Sequence, residues 1–249
     1  MSVFERAVAF QRTMDARLAE RTVPTENGVA YFCDRLPQVW WRNFLCVNLG
    51  SRASCAELAL EAEAVQAKLD HRKIGVDDEH GAALAPQFRR RGWTVHEYVV
   101  MALHEPAAVD TSTTEEVEAD DLAPVWREGI RPTVASDETV RQLVEAQHNR
   151  RQAVDVRYFA ALVDGEPAAY CELFSADGVG QVESVMCLER YRGLGLGKAV
   201  TARATAESQA AGHELTFLVA EADDWPRQLY DKLGYRDAGR IWDFQRERR

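Results

Sequence analysis

The feature that most constrains the fold of this chain is an internal repeat with an offset of 142 residues. The segment HRKIGVDDEHGAALAPQFRRRGWTVHEY begins at His71 and aligns without a gap with HELTFLVAEADDWPRQLYDKLGYRDAGR, which begins at His213. The aligned pairs include His71 with His213, Ile74 with Thr216, Val76 with Leu218, Phe88 with Tyr230, Gly92 with Gly234 and Trp93 with Tyr235. Self-similarity at a fixed offset indicates that one supersecondary unit is used twice.

Each copy reads as a short apolar strand, an acidic turn, a helix, a Gly-aromatic pair and another strand. A helix also precedes each copy; in the first, Ser54 and Glu57 form a capping box before an apolar stripe. Similarity between any two strand-helix-strand units is the competing explanation. The acidic segment DTSTTEEVEADD, Asp110 to Asp121, lacks periodicity and indicates a linker. The sequence therefore predicts an α/β (α+β) protein of two related domains, residues 1–108 and 109–249.

The composition of the chain argues against several classes of protein. No apolar stretch approaches the 18 residues of a membrane span, and the N-terminus MSVFERAVAFQRTMDARLAER lacks the apolar core of a signal peptide. The five cysteines form no CxxC pair and the six histidines form no HExxH, so we expect a cytoplasmic protein without a metal site. The net charge of −10 disfavours nucleic acid as a partner and mildly favours a small cationic substrate.

The stretch ERYRGLGLGKAV, Glu189 to Val200, is typical of a phosphate-binding loop. A dinucleotide fingerprint would require glycine where Lys198 or Val200 stands, and a nucleoside-triphosphate loop would require glycine at Arg192 and Ser or Thr at Ala199. Both readings fail. The remaining pattern is Arg-x-x-Gly-x-Gly, between an apolar strand and a helix, where glycines admit phosphates to backbone N–H groups at a helix N-terminus.

This pattern resembles the acetyl-CoA pyrophosphate loop of the GNAT (N-acetyltransferase) superfamily. A second signature, LYDKLGY from Leu229 to Tyr235, is similar to the end of the family's C-terminal helix, and a hairpin turning at Asp164-Gly165 fits its central sheet. Asp223 and Pro226 depart from the usual residues of that helix region. The resemblance implies two tandem GNAT-like domains, each a mixed, mostly antiparallel sheet flanked by helices.

The resemblance also implies acetyl transfer from acetyl-CoA, as co-substrate, to a small primary amine by direct attack in a ternary complex. The resemblance implies that three groups of residues bind acetyl-CoA: four on a strand, seven in the glycine loop and two near the last helix. They are Val185, Met186, Cys187 and Leu188, then Arg192, Gly193, Leu194, Gly195, Leu196, Gly197 and Lys198, and finally Asp223 and Tyr230. Backbone N–H near Cys187 is expected to polarise the acetyl carbonyl.

Two side chains are the candidate catalysts. Glu183, on the strand before the loop, can accept a proton from the amine through water, with Glu172 as the reserve candidate. Tyr230 can donate to the departing thiolate. A solvated Glu183 and a core Tyr230 are the alternatives. Cys187 is interpreted as a strand residue rather than a nucleophile, since no activating histidine lies nearby in the sequence.

The first domain lacks the equivalent features. The segment GSRASC, Gly50 to Cys55, has no alternating glycines, and Phe88 stands where the second copy has Tyr230. We therefore predict that this domain binds no acetyl-CoA. Trp40 and Trp41, on opposite faces of a predicted strand, line an acceptor pocket or fill an interface.

Several alternatives stay open. A non-catalytic acyl-CoA sensor is the competing function. An antibiotic, a polyamine, an amino acid or a protein N-terminus fits as acceptor, the acyl group can be longer than acetyl, and the chain is a monomer or a homodimer. We expect no nucleic acid and no membrane partner.

Overall fold

The computed structural model describes residues 1–134 and 136–248, and within them the chain forms an α/β fold of seven helices and eleven strands. The helices are α1 (Val3–Leu18), α2 (Cys55–Val65), α3 (His80–Arg90), α4 (Ala119–Ile130), α5 (Asp137–His148), α6 (Leu196–Ala210) and α7 (Pro226–Lys232). The strands are β1 (Arg21–Pro24), β2 (Gly28–Phe32), β3 (Phe44–Val47), β4 (His71–Val76), β5 (Thr94–Leu103), β6 (Thr114–Val117), β7 (Asp155–Val163), β8 (Glu166–Ala176), β9 (Val179–Cys187), β10 (Leu215–Glu221) and β11 (Tyr235–Glu247). Within the described ranges, no helix is both long enough and apolar enough to cross a membrane.

The internal repeat is present in the structure. Shifting α2 by 142 residues places it at 197–207, over α6, and shifting β5 places it at 236–245, over β11. The predicted capping box at α2 is also formed, because the Ser54 hydroxyl accepts from the N–H of Glu57 and the Glu57 carboxylate accepts from the N–H of Ser54. The tandem arrangement read from the sequence is thereby confirmed.

The strands form one continuous sheet in the order β1-β2-β3-β4-β11-β5-β10-β9-β8-β7-β6. Neighbouring strands are antiparallel except for two parallel pairs, β3 with β4 and β9 with β10. The sheet is therefore mixed and mostly antiparallel, as predicted, but the two halves share it. We call residues 1–108 the first half and residues 109–249 the second half.

The halves share the sheet because they exchange their last strands. Strand β11 pairs with β4 of the first half from Trp242↔Val76 to Glu247↔His71, while β5 pairs with β10 of the second half from Phe217↔Ala102 to Glu221↔Tyr98. Between them, β5 and β11 pair with each other. Each half therefore completes the sheet of the other, and the strand edges that a separate half would expose are covered.

The exchange extends to the two hydrophobic cores. Trp242 and Phe244 of β11 are buried in the core of the first half, where Phe244 stacks on Phe88 at 4.2 Å between ring centroids. Val99 and Met101 of β5 are buried in the core of the second half. Each fully buried side chain of this size contributes roughly 1.5–3 kcal/mol, so the swapped strands carry a substantial part of each core.

Helix α1 also crosses between the halves. Its Phe10 meets Phe217 of β10 edge to face, with ring centroids 5.8 Å apart, and the Arg17 guanidinium donates to the carbonyl of Ala153 at 3.0 Å. This packing brings the middle of α1, including Asp15, over the junction of the exchanged strands.

Two local predictions were wrong. Trp40 and Trp41 belong to a 3₁₀ turn, Trp40–Arg42, rather than a strand, because the Asn43 amide donates to the carbonyls of Leu36 (2.8 Å) and Val39 (2.9 Å) and closes the preceding loop on itself. The segment 110–121 is not only a linker, since it contains β6, which pairs with β7 at the edge of the sheet. Acidic side chains on an edge strand oppose further strand pairing, which accounts for its composition.

We expect residues 109–249, expressed alone, to lack a cooperative thermal transition, because β10 and β11 lose their partners β5 and β4. Circular dichroism of the fragment tests this expectation. Co-expression with residues 1–108 is the control and should restore a single transition. A sharp melt of the isolated fragment near that of the whole chain would contradict the account.

Candidate functional site

The site begins where two parallel strands separate. Strands β9 and β10 pair only from Leu215↔Val179 to Leu218↔Val182, although β9 continues to Cys187 and β10 to Glu221. Beyond Val182, β9 carries a bulge at Ser184, whose φ of 54° lies in the left-handed region. The edge of β9 that faces β10 is therefore left open over its last residues.

Backbone donors of β9 face this gap. The N–H of Leu188 donates to the carbonyl of Ala168 at 2.9 Å, toward β8. Because successive N–H groups of an extended chain point to opposite edges, the N–H of Cys187 points into the gap. Leu188 itself is buried. Of the four strand residues predicted to contact the co-substrate, Val185, Met186 and Cys187 line the gap and Leu188 does not.

The glycine loop follows β9 directly and leads into α6, a helix whose N-terminus has no side-chain cap. Gly193 and Gly195 have φ values of 83° and 78°, and Gly195 is the N-cap of α6 with no side-chain hydrogen bond. The first amide of α6 bonded within the helix is that of Ala199, which donates to the carbonyl of Gly195. The N–H groups of Leu196, Gly197 and Lys198 therefore point out of the helix end, where the helix dipole favours an anion.

These elements enclose a cleft of about 780 Å³, which we call the β9–α6 cleft. Its predicted lining residues are Val185, Met186, Cys187, Arg192, Gly193, Gly195, Leu196, Gly197 and Lys198. The remaining lining residues were not predicted from the sequence: Tyr191, beside the glycine loop, and Asp224, Trp225, Pro226 and Leu229, from the segment around the start of α7. Trp225 is 65% exposed, an unusual position for a tryptophan and the one signal that could have marked this segment. Leu194 is exposed beside the loop, and Asp223 is exposed outside the lining.

Tyr230 lies on α7, packed in the same core cluster as Leu196 and Val200 of α6. Its side chain is 7% exposed, and among the described residues its hydroxyl has no hydrogen-bond partner. Burial raises the pKa of Tyr230, and the nearby negative charge of Glu183 raises it further. The phenol therefore remains a proton donor at neutral pH.

The two carboxylates considered as bases have different environments. Glu183 is half-buried and accepts a hydrogen bond from the Gln181 amide at 2.6 Å. Glu172 lies opposite it on β8 and is fully buried, with its pKa raised by burial against the opposing effect of Arg150. Arg150 donates to Glu172 at 2.8 Å and to the Ser184 hydroxyl at 2.6 Å. Glu172 thus fixes Arg150 at the bulge, and Glu183 is the accessible carboxylate.

Glu183 lines a second cavity of about 420 Å³, which lies between the halves and which we call the central cavity. Its walls come from α1, β4, β5, β9, β10, β11 and the 3₁₀ turn at Trp41. Its acidic lining residues are Asp15, Asp77, Glu183, Glu221 and Asp243, and its basic ones are Arg12, Lys73 and Arg150. The exchanged strand β5 contributes Tyr98, whose pKa is raised by burial and by the charges of Asp243, Glu221 and Glu183. Within the described ranges, no group of His, Cys, Asp or Glu side chains is arranged to hold a metal ion.

The corresponding region of the first half is built differently. The N-terminus of α2 is occupied by its own capping box of Ser54 and Glu57, and the N–H of Gly50 donates to the Asp78 carboxylate at 2.8 Å. Phe88 is fully buried against Phe244 and offers no hydroxyl. The first turn of α2 thus has a side-chain cap that the first turn of α6 lacks.

Comparison with solved structures shows the fold. The chain is similar to a GCN5-related N-acetyltransferase from Kribbella flavida, with 20% identity, a TM-score of 0.67 and coverage of 98% of this chain and 96% of that one. It is similar to a functionally unknown conserved protein from Staphylococcus epidermidis (15% identity, TM-score 0.67, 91% and 93% coverage). A tandem GNAT protein from the clavulanic acid biosynthesis pathway matches with 14% identity, a TM-score of 0.58 and 94% and 87% coverage.

No curated protein matches the chain in sequence. The model of the Acetyltransferase (GNAT) family matches residues 123–235, which contain the diverging strands, the glycine loop and Tyr230. Residues 123–235 are thus similar to a GNAT acetyltransferase domain, and the fold of the whole chain is similar to that of a tandem GNAT structure.

Proposed function

We propose that the chain is an acetyl-CoA-dependent N-acetyltransferase that acetylates a small primary amine by direct transfer in a ternary complex. The observation that carries the proposal is the divergence of β9 from β10 immediately before an uncapped helix N-terminus. That arrangement supplies open strand donors and open helix donors along one continuous cleft.

Acetyl-CoA would lie along the β9–α6 cleft. Its diphosphate would accept from the N–H groups at the start of α6, with Arg192 and Lys198 adding positive charge. Its pantetheine arm would follow the open edge of Val185 to Cys187. The exposed ring of Trp225, in the lining of the cleft, offers a stacking surface for the adenine.

The two proposed catalytic side chains are Glu183, which lines the central cavity, and Tyr230, which is buried on α7 behind the lining of the β9–α6 cleft. An alkyl ammonium with a pKa of about 10.4 costs roughly 4–5 kcal/mol to deprotonate at pH 7, and Glu183, facing the central cavity, would accept that proton through water. The amine nitrogen then attacks the acetyl carbon, whose oxygen accepts from the N–H of Cys187. The C–S bond breaks as Tyr230 protonates the sulfur, and the second proton released from the attacking nitrogen restores the Tyr230 phenol, so that the N-acetylated amine and coenzyme A are the products. Burial raises the pKa of the Cys187 thiol, which disfavours a covalent acetyl-cysteine route.

The first half would bind no acetyl-CoA. The first turn of α2 is capped by Ser54, and in the pocket beside α2 the carboxylates of Asp77, Asp78 and Glu79 outnumber the one arginine, Arg52, and disfavour a diphosphate. Its role in this proposal is to supply α1, β5 and Trp41 to the central cavity.

We expect Tyr230→Phe to lower kcat by about 100-fold, the usual contribution of a positioned acid, while the Kd for acetyl-CoA is unchanged. The kcat is measured from thiol release from acetyl-CoA with a panel of amines, and the Kd for acetyl-CoA is measured by calorimetry. Tyr158→Phe is the matched control, because the Tyr158 hydroxyl is buried and has no partner among the described residues, so its removal leaves no group unpaired.

Wild-type turnover by Tyr230→Phe would remove Tyr230 from the mechanism. Tight acetyl-CoA binding by the wild-type chain without thiol release, over the whole amine panel, would favour a non-catalytic acyl-CoA sensor instead.

We expect calorimetry to give one acetyl-CoA site per chain, and Gly195→Asp to abolish it by placing a carboxylate beside the diphosphate. Gly50→Asp in the first half is the matched control. Both glycines have a left-handed φ, 78° and 76°, and a Cβ added at either would meet no atom within 4 Å, so the backbone cost is similar. Two sites per chain, or loss of binding in Gly50→Asp, would contradict the assignment.

A further inference from the structure

We propose that the acceptor carries two amino groups, one presented at Glu183 for acetylation and the other bound at Asp15 on the far wall of the central cavity. This inference deepens the proposed function and rests on it for the transfer step. The proposed substrate class is a linear diamine or a longer polyamine. The carboxylates that line the cavity between the two halves would recognise its positive charges.

The cations of the central cavity are already committed to protein partners. Arg12 contacts Asp77 at 2.7 Å and the carbonyl of Val47 at 2.6 Å, and Lys73 contacts Asp243. Arg150 is held by Glu172 and Ser184, with its guanidinium 5.0 Å from the ring centre of Trp41. These groups have little capacity left for an anionic ligand.

Two carboxylates of the cavity lack such partners. Among the described residues, Asp15 makes no side-chain hydrogen bond or ion pair, and Glu183 accepts only from the amide of Gln181. Glu221, on β10, lies 3.6 Å from the Nδ1 of His96, its one ion-pair partner within the described part of the chain. Carboxylates in a cavity that both halves line gain more from an added cation than they would on a flat, fully solvated surface.

A buried amide independently indicates a donor-bearing ligand. Gln181 lines the central cavity, is 1% exposed, and its Oε1 has no hydrogen-bond partner among the described residues. Buried polar atoms are normally satisfied. An ammonium group brings three N–H donors and no acceptor, so an amine bound near Glu183 can also serve the Gln181 oxygen.

The positions of the carboxylates on different elements favour a ligand with more than one positive centre. Asp15 belongs to α1 of the first half and Glu183 to β9 of the second half. The cavity of about 420 Å³ is more than ten times the roughly 30 Å³ that a water molecule, close to an ammonium in size, occupies in the liquid. A monoamine would leave one of the two carboxylates without a cationic partner. The carboxylate of an α-amino acid would be repelled by the acidic side chains that line the cavity.

The ionisation of Asp15 gives a second readout. Burial and the charge of Asp77 raise the pKa of Asp15 to about 7, with Asp243 acting in the same direction and Lys73 and Arg42 in the opposite one. Alkyl amines with a pKa of about 10.4 stay charged throughout this range. Diamine binding should therefore tighten as the pH rises from 6 to 8 and Asp15 loses its proton.

The test compares 1,4-diaminobutane with n-butylamine on the full-length chain. We expect calorimetric binding and kcat/KM to favour the diamine by about 10- to 100-fold, the range of a charge-assisted contact. Asp15→Asn should reduce the ratio of the two amines to within about threefold and remove the pH dependence of diamine binding. Asp70→Asn is the control, because Asp70 is exposed, lies outside the cavity and makes no side-chain hydrogen bond with the described residues.

The outcomes separate this inference from the proposed function. Selective, pH-dependent diamine binding without acetylation would support the cavity assignment and overturn the transferase. Equal use of both amines, or tighter binding of an α-amino acid, would overturn the diamine assignment and leave the transferase standing. The pH series on the wild-type chain needs no variant, so it decides the matter even if Asp15→Asn is unstable; diamine binding that is flat from pH 6 to 8 would overturn the role of Asp15.

Discussion

The exchange of β5 and β11 between the halves is the constraint on which the rest of the structure depends. It converts two repeats into one sheet, and it buries Trp242 and Phe244 in the first half and Val99 and Met101 in the second. It also decides the composition of the central cavity. Tyr98 reaches the second half because β5 lies beside β10, and Asp243 meets Lys73 because β11 lies beside β4.

The two repeats differ at the start of the equivalent helices α2 and α6. At α2 a capping box of Ser54 and Glu57 satisfies the N–H of Glu57, whereas at α6 a glycine begins the helix and no side chain caps its first N–H groups. An N-terminal turn can be stabilised by its own side chains or kept available for an anion, and these are competing uses of the same donors. This difference supports the proposal that one repeat binds a phosphate-bearing co-substrate and the other shapes the acceptor cavity.

Much of this could be predicted from the sequence, because it is encoded locally. The repeat offset, the capping box at Ser54 and the glycine pattern before α6 all depend on residues close together in the chain. Strand exchange could not be predicted, since the alternation of β5 and β11 specifies a strand but not its partner. The sequence did not predict Asp15 or Tyr98 as residues of the central cavity for the same reason, because tertiary packing brings each of them there. The turn at Trp40 was misread because Asn43, rather than the apolar pattern, determines the local backbone.

The most direct measurement is a crystal structure of the full chain with coenzyme A. The account predicts one molecule per chain, with its diphosphate at the N–H groups of Leu196, Gly197 and Lys198 and its thiol near Tyr230. A diphosphate bound at the start of α2, or a cleft beside β9 that stays empty at saturating ligand, would contradict it.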